Sequence, residues 1–180
     1  MDVTGLILAG GRGSRMGGAD KGLQPFAGRP LVQHAIDRLR PQVDRLLISA
    51  NRNIAVYAAY GYPVLADRQQ GYCGPLAGID AALAECATPY LATVPCDAPY
   101  FPADLVARLL AAIGSADAAI IVDHPVFALL RRETNQALAD YLASGGRKVR
   151  DWHAGLRTVS VNFADVSAFA NLNTGDDLVS

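Results

Sequence analysis

Apolar residues in this chain fall into two alternating kinds of block. Short, mainly apolar runs read as buried strands at Val3–Leu8, 46–49, 63–66, 90–94, 118–122, 126–130 and 156–161. Between them lie stretches with helical period. After Pro30, Val32, Ala35, Ile36, Leu39 and Val43 share one face, with Gln33, Asp37, Arg38 and Arg40 opposite, and Pro41 marks the end. Pro75 suits the first turn of a second helix, which continues through Leu76, Ile79 and Leu83. Pro102 opens a third, with Val106, Leu109, Leu110 and Ile113 inward, and a fourth over 133–143 aligns Leu138, Tyr141 and Leu142. Strands alternating with helices predict an α/β protein: a three-layer, open, mostly parallel twisted sheet with helices on both faces. Asp123-His124-Pro125 alone separates 118–122 from 126–130, which predicts a tight hairpin. Thr174 and Asp177 have the spacing of a capping box at a short terminal helix. No repeat, low-complexity tract or linker interrupts the pattern, so 1–180 reads as one domain.

Against this pattern stands the segment 8–22, LAGGRGSRMGGADKG, directly after the first strand. Six of its fifteen residues are glycine and three, Arg12, Arg15 and Lys21, are cationic. Glycine lets a ligand approach the backbone without a Cβ in the way, and successive N–H groups in such a loop form an anion site. The segment therefore reads as a phosphate cradle. It is not a Walker A loop, because Lys21 is followed by Gly22 and not by a hydroxyl residue. It is not a dinucleotide fingerprint, because Met16 stands where the third glycine belongs.

Polar residues gather where predicted strands end, the edge at which open α/β sheets hold ligands. Ser49-Ala50-Asn51-Arg52 follows the second strand, and Asp67 closes the third. Pro95-Cys96-Asp97-Ala98-Pro99-Tyr100 follows the fourth, with Asp97 between two prolines on a stiff loop. A hard carboxylate there suits Mg²⁺, which takes one or two carboxylates plus substrate phosphates. Gly78 sits inside a predicted helix, where glycine is unfavourable, so it suggests close approach of a base or ribose. The GGRKVR segment, 145–150, reads either as a solvated basic turn or as an anion contact through Arg147 or Lys148.

Composition narrows the partners. Sixteen basic and seventeen acidic residues give a net charge of −1, so nothing in the overall balance favours nucleic acid. No apolar run approaches the roughly 20 residues of a membrane span, and the N-terminal apolar stretch lacks a basic flank. Cys73, Cys86 and Cys96 have no metal-type spacing and read as free thiols of a reducing cytoplasm.

LAGGRGSRMGGADKG resembles the signature loop of the glycine-rich-loop nucleotidyltransferases, and its Gly17-Gly18-Ala19-Asp20-Lys21-Gly22 ending resembles the molybdenum cofactor guanylyltransferase (MobA) family. Asp67, Gly-Pro-Leu-Ala-Gly at 74–78, Cys-Asp-Ala-Pro-Tyr at 96–100 and Asn-x-Asn-Thr at 171–174 follow in the family's order. The resemblance implies a Rossmann-like nucleotidyltransferase fold, with a GTP and Mg²⁺ site in the N-terminal half and a molybdopterin site in the C-terminal half. Mn²⁺ is the expected substitute for Mg²⁺. The resemblance also implies transfer of GMP from GTP to molybdopterin or molybdenum-molybdopterin, with release of pyrophosphate and formation of the molybdopterin guanine dinucleotide.

Backbone of Leu8, Ala9, Gly10, Gly11 and Gly13 would then cradle phosphates, with Arg15 and Lys21 on the α-phosphate and the leaving group. Asp97 would hold the metal, and Asp67 would accept from guanine or ribose, with Ser49, Asn51 and Gly78 nearby. Arg147 or Lys148 would meet the acceptor phosphate, and Asn171 and Asn173 would reach back to the site. Ser49 departs from the family's usual Asn, and the Asp123-His124-Pro125 connection is shorter than the family's. Molybdenum-insertion and molybdoenzyme maturation proteins are implied partners. A molybdopterin cytidylyltransferase and a non-catalytic nucleotide sensor remain alternatives.

Overall fold

The structure, a computed structural model, describes residues 2–9, 20–68 and 74–172. Strand β1 (Val3–Leu8) is followed by a two-stranded ribbon, β2 (Pro25–Phe26) with β3 (Arg29–Pro30), and by helix α1 (Leu31–Leu39). Next come β4 (Arg45–Ser49), α2 (Ile54–Ala58), β5 (Val64–Leu65), α3 (Pro75–Glu85) and β6 (Tyr90–Pro95). The second half runs α4 (Leu105–Ile113), β7 (Ala118–Ile121), β8 (His124–Arg131), α5 (Asn135–Ala143), α6 (Val149–Ala154) and β9 (Thr158–Val161).

Seven strands form one sheet in the order β5-β4-β1-β6-β8-β7-β9. Every neighbouring pair is parallel except those of β8, which runs against both β6 and β7. The predicted hairpin is present, with Asp123 at φ 63 in its turn and a bulge between Ile120 and Ile121. Strand side chains alternate between two cores. Val3 and Ile7 of β1, Ala92 and Val94 of β6, and Phe127 and Leu129 of β8 join Val32, Ala35, Leu39, Leu105 and Leu109 on one face. Leu6, Leu91, Ala128 and Leu130 join Leu76, Leu83, Leu138 and Trp152 on the other. Burial on both faces is why these strands read as continuous apolar runs and not as alternating ones.

The chain leaves β1 toward β4 on one side and returns to β6 on the other, so the strand order reverses at β1. Segments leaving the C-terminal ends of β1 and β6 flank that reversal, the place where such sheets hold ligands. The loop after β6 is fixed from behind. Arg38 of α1 donates from Nε to the Phe101 carbonyl (2.7 Å) and from Nη2 to that of Tyr100 (3.2 Å). Buried Gln42 accepts from the Val106 N–H (3.0 Å) and so satisfies an unpaired donor in the first turn of α4.

Helix α4 starts at Leu105, three residues after the predicted Pro102, and the 3₁₀ turn Arg132–Thr134 delays α5 to Asn135. Among the described residues, no helix is long and apolar enough to cross a membrane.

The glycine inside α3 has a packing role. A Cβ on Gly78 would overlap Ser49 Oγ and would lie 2.9 Å from Leu8 Cδ2 and 3.0 Å from Ser49 Cβ. Its absence lets α3 settle onto β1 and β4. Gly78→Ala gains about 1 kcal/mol of helix propensity but forces overpacking that costs about 1–3 kcal/mol, so net destabilisation is expected in chemical denaturation.

Candidate active site

Cys96, the residue after β6, donates its N–H to the Leu8 carbonyl at the end of β1 (3.1 Å), which clamps the two strand ends together. Asp97 follows at the rim. Lys21 opens a short 3₁₀ turn, Lys21–Leu23, on the far side of the glycine-rich segment. Its ammonium lies 2.6 Å from Asp97 Oδ2, with the two side chains 22% and 15% exposed. A cation and a carboxylate thus share a half-dry rim that a charged ligand can still reach. The two residues are 76 positions apart, and the sheet brings them together.

The C-terminal segment meets the same loop. Phe169 is fully buried, with its ring 5.0 Å from Phe127, 5.1 Å from Phe163 and 5.7 Å from His124. That anchor brings the Leu172 N–H to the Asp97 carbonyl (2.8 Å) and leaves the preceding Asn171 exposed beside it.

On the β4 and β5 side, Asn51 and Asp67 grip each other. Asn51 Nδ2 donates to Asp67 Oδ2 (2.8 Å), and the Asp67 N–H donates to Asn51 Oδ1 (2.8 Å). The carboxylate is thereby oriented by its neighbour. Burial raises the Asp67 carboxyl above the usual carboxylate range, and the Asn51 bond opposes this in part. Asn51 therefore acts on Asp67 where a direct ligand contact was expected.

Five other expected residues have partners within the protein. Ser49 is 2% exposed, with its hydroxyl turned under α3 against Gly78. The neighbour that comes close to Gly78 is this serine, so neither residue presents a face to a ligand. The Ala9 N–H donates to the Ser49 carbonyl (2.9 Å) as an extension of the sheet, and the Leu8 carbonyl is held by Cys96. Any backbone cradle therefore begins beyond Ala9. Arg147 donates from Nη1 to the carbonyls of Leu142 (2.9 Å) and Gly146 (2.6 Å). Arg147 thereby adds a side-chain donor to the Leu142 carbonyl in the last turn of α5, which also accepts from the Gly145 N–H (3.1 Å). Gly10, Gly11, Gly13, Arg15 and Asn173 lie outside the described residues, as does the expected terminal helix at Thr174 and Asp177.

Cys96, beside Asp97, is buried, and burial first and the Asp97 charge second push its thiol up, so it is no nucleophile.

One cluster escaped the sequence reading. Asp20 is 8% exposed; its Oδ1 accepts from the Tyr57 hydroxyl (2.6 Å) and its Oδ2 from Asn53 Nδ2 (2.9 Å), with Arg52 Nε 3.7 Å away. An aspartate beside glycines and a lysine has every local mark of a solvated loop residue. Its burial comes from α2, an element the hydrophobic pattern does not reveal.

The profile of the MobA-like NTP transferase domain matches residues 5–159. A molybdenum cofactor guanylyltransferase from Cupriavidus necator is 52% identical, covering 98% of this chain and 94% of its own. One from Bordetella petrii is 49% identical, with 96% and 93% covered. Among solved structures, the molybdopterin-guanine dinucleotide biosynthesis protein A of Archaeoglobus fulgidus superposes with a TM-score of 0.81 at 22% identity, covering 98% of this chain and 95% of its own. The 2-C-methyl-D-erythritol 4-phosphate cytidylyltransferase of Thermus thermophilus shares the fold with a TM-score of 0.73 at 15% identity, with 97% and 94% covered. The chain belongs to the MobA-like NTP transferase family, on its molybdenum cofactor guanylyltransferase branch.

Proposed function

We propose that this protein transfers GMP from GTP to the terminal phosphate of molybdopterin, releasing pyrophosphate. The observation that carries the reading is the Lys21–Asp97 pair at the strand reversal, in a chain about half identical to guanylyltransferases over nearly its whole length.

The acceptor's phosphomonoester is already anionic near neutral pH, so the protein need not supply a base. Its work is positioning and charge stabilisation. Lys21 faces the α-phosphate and the departing pyrophosphate, assisted by Arg15. Asp67, aimed by Asn51, accepts from the N1–H and N2–H donors of guanine. A carboxylate oxygen keeps a second lone pair after taking one bond from Asn51. Asn171 stands beside the Asp97 loop on its C-terminal side, the side assigned here to the acceptor, and Asn173 is assigned to the same contact by its place in the sequence.

A partly exposed hard carboxylate such as Asp97 fits a divalent cation that arrives with substrate phosphates, Mg²⁺ or its substitute Mn²⁺. Such a cation, when bound, neutralises charge on the phosphate oxygens. Among the described residues no group of three His, Cys, Asp or Glu comes together.

Pyrophosphate release with molybdopterin and Mg²⁺, compared between GTP and CTP, tests the reading. Release with GTP well above CTP is expected, and no release, or preference for CTP, would overturn it. Lys21→Ala should slow single-turnover transfer by roughly 10²–10³, the loss typical of one preorganised donor. Asp97→Asn should lower the rate by a similar factor of roughly 10²–10³ and weaken Mn²⁺ binding in the presence of GTP, with thermal unfolding little changed.

Acidification tests Asp67. Because its carboxyl is raised, it takes up a proton at higher pH than an exposed aspartate. GTP affinity should therefore decline earlier as pH falls, and calorimetry should show Asp67→Asn removing that part of the decline.

A further inference from the structure

We propose that Asp20 is a positioning residue that acts through Lys21, and that Tyr57, with Asn53, is what holds it in place. The proposal rests on the guanylyl-transfer reading for its kinetic consequence but not for its structural content.

Asp20 is fixed at both its side chain and its main chain. Its carboxylate is 6% exposed and takes the Tyr57 hydroxyl, the Asn53 amide and the charge of Arg52. Its carbonyl accepts from the Leu23 N–H (3.1 Å) and from Gln24 Nε2 (3.4 Å). Burying a carboxylate is costly unless hydrogen bonds compensate, so a site that supplies several partners is built for it. The residue after this fixed point is Lys21, whose ammonium reaches Asp97.

Three features tune the same contact. Tyr57 is fully buried, and burial first and the Asp20 bond second hold its phenol protonated, so the O–H is a donor throughout the neutral range. A Cβ on Gly22 would overlap the Tyr57 hydroxyl, so glycine at that position lets the hydroxyl reach Asp20. Asn53 precedes α2 in the left-handed region, at φ 51, a conformation asparagine tolerates and most residues do not, and its amide goes to Asp20 and not to the helix. Without these anchors, the backbone from which Lys21 extends would be free to rotate its ammonium off the Asp97 rim. Lys21 needs that rim to meet a phosphate with its geometry already set.

Tyr57→Phe keeps the buried ring and removes only the hydroxyl. The chain has two lysines, Lys21 and Lys148, so lysine-specific ¹³Cε labelling gives one signal for the site and one internal reference. In ligand-free protein, Tyr57→Phe and Asp20→Asn should both move the Lys21 signal and leave that of Lys148 in place. An unmoved Lys21 signal in both variants would overturn the proposal whatever the enzyme's reaction.

With GTP and molybdopterin, Tyr57→Phe should lower kcat/KM by about tenfold, mostly in kcat, as expected for loss of one hydrogen bond to a charged group. In a Lys21→Ala background the same change should cost less than about twofold, because residues acting as a unit are not additive. A full loss in both backgrounds would show that Tyr57 serves the fold and not Lys21. Absence of transfer by the wild-type chain would defeat the reaction assigned above and leave the spectroscopic result to decide the role of Asp20.

Discussion

The Lys21–Asp97 contact is what the rest of this molecule is arranged to produce. Two opposite charges 2.6 Å apart, neither fully buried nor fully wet, are stable only where the backbone holds both. On a flexible surface the entropy of two mobile side chains would cancel most of their attraction. Here Asp97 sits on a loop clamped to β1 by Cys96, braced by Arg38 and met from the far side by Leu172. Lys21 opens a turn, and the residue before it, Asp20, is anchored to α2. The charges are thus preorganised at the point where strand order reverses and where phosphates gain most from fixed donors.

The same logic connects the two sides of the site. Residues 51–53 leave β4 in a single short connection. Asn51 orients Asp67, while Arg52 and Asn53 hold Asp20. One short link thus ties Asp67, the carboxylate proposed for the base, to Asp20 beside Lys21, the cation proposed for the phosphates. A nucleotide that spans both would find their spacing already determined by the protein, which lowers the ordering cost of binding.

The C-terminal half contributes through packing more than through charge. Helix α6 buries Trp152 and His153, at 3% exposure each, and the aromatic cluster around Phe169 carries the tail to Asp97. Arg147, with the residue type for phosphate recognition, instead closes the end of α5. A guanidinium beside the carbonyls of a helix end has acceptors at hand within the protein. Gly78 shows the converse: a residue that looked shaped for a ligand is shaped for a neighbouring serine.

The order of the main strands and longer helices, the mostly parallel character of the sheet and the placing of Asp67 and Asp97 just past strand ends were legible in the residues alone. Periodicity marks which faces are buried, and prolines and glycines mark where the chain turns. Helices α2 and α6 were not legible. In α2 the apolar Ile54 and Val56 are 41% and 48% exposed while Tyr57 is buried, and α6 is six residues rich in charge, so neither carries a period long enough to read. Partnerships were beyond reach for a related reason. Whether Ser49 faces a ligand or a helix, and whether Asp20 is wet or buried, depends on which distant element covers it. That is settled by how the layers close over the sheet, and no local run of residues records it.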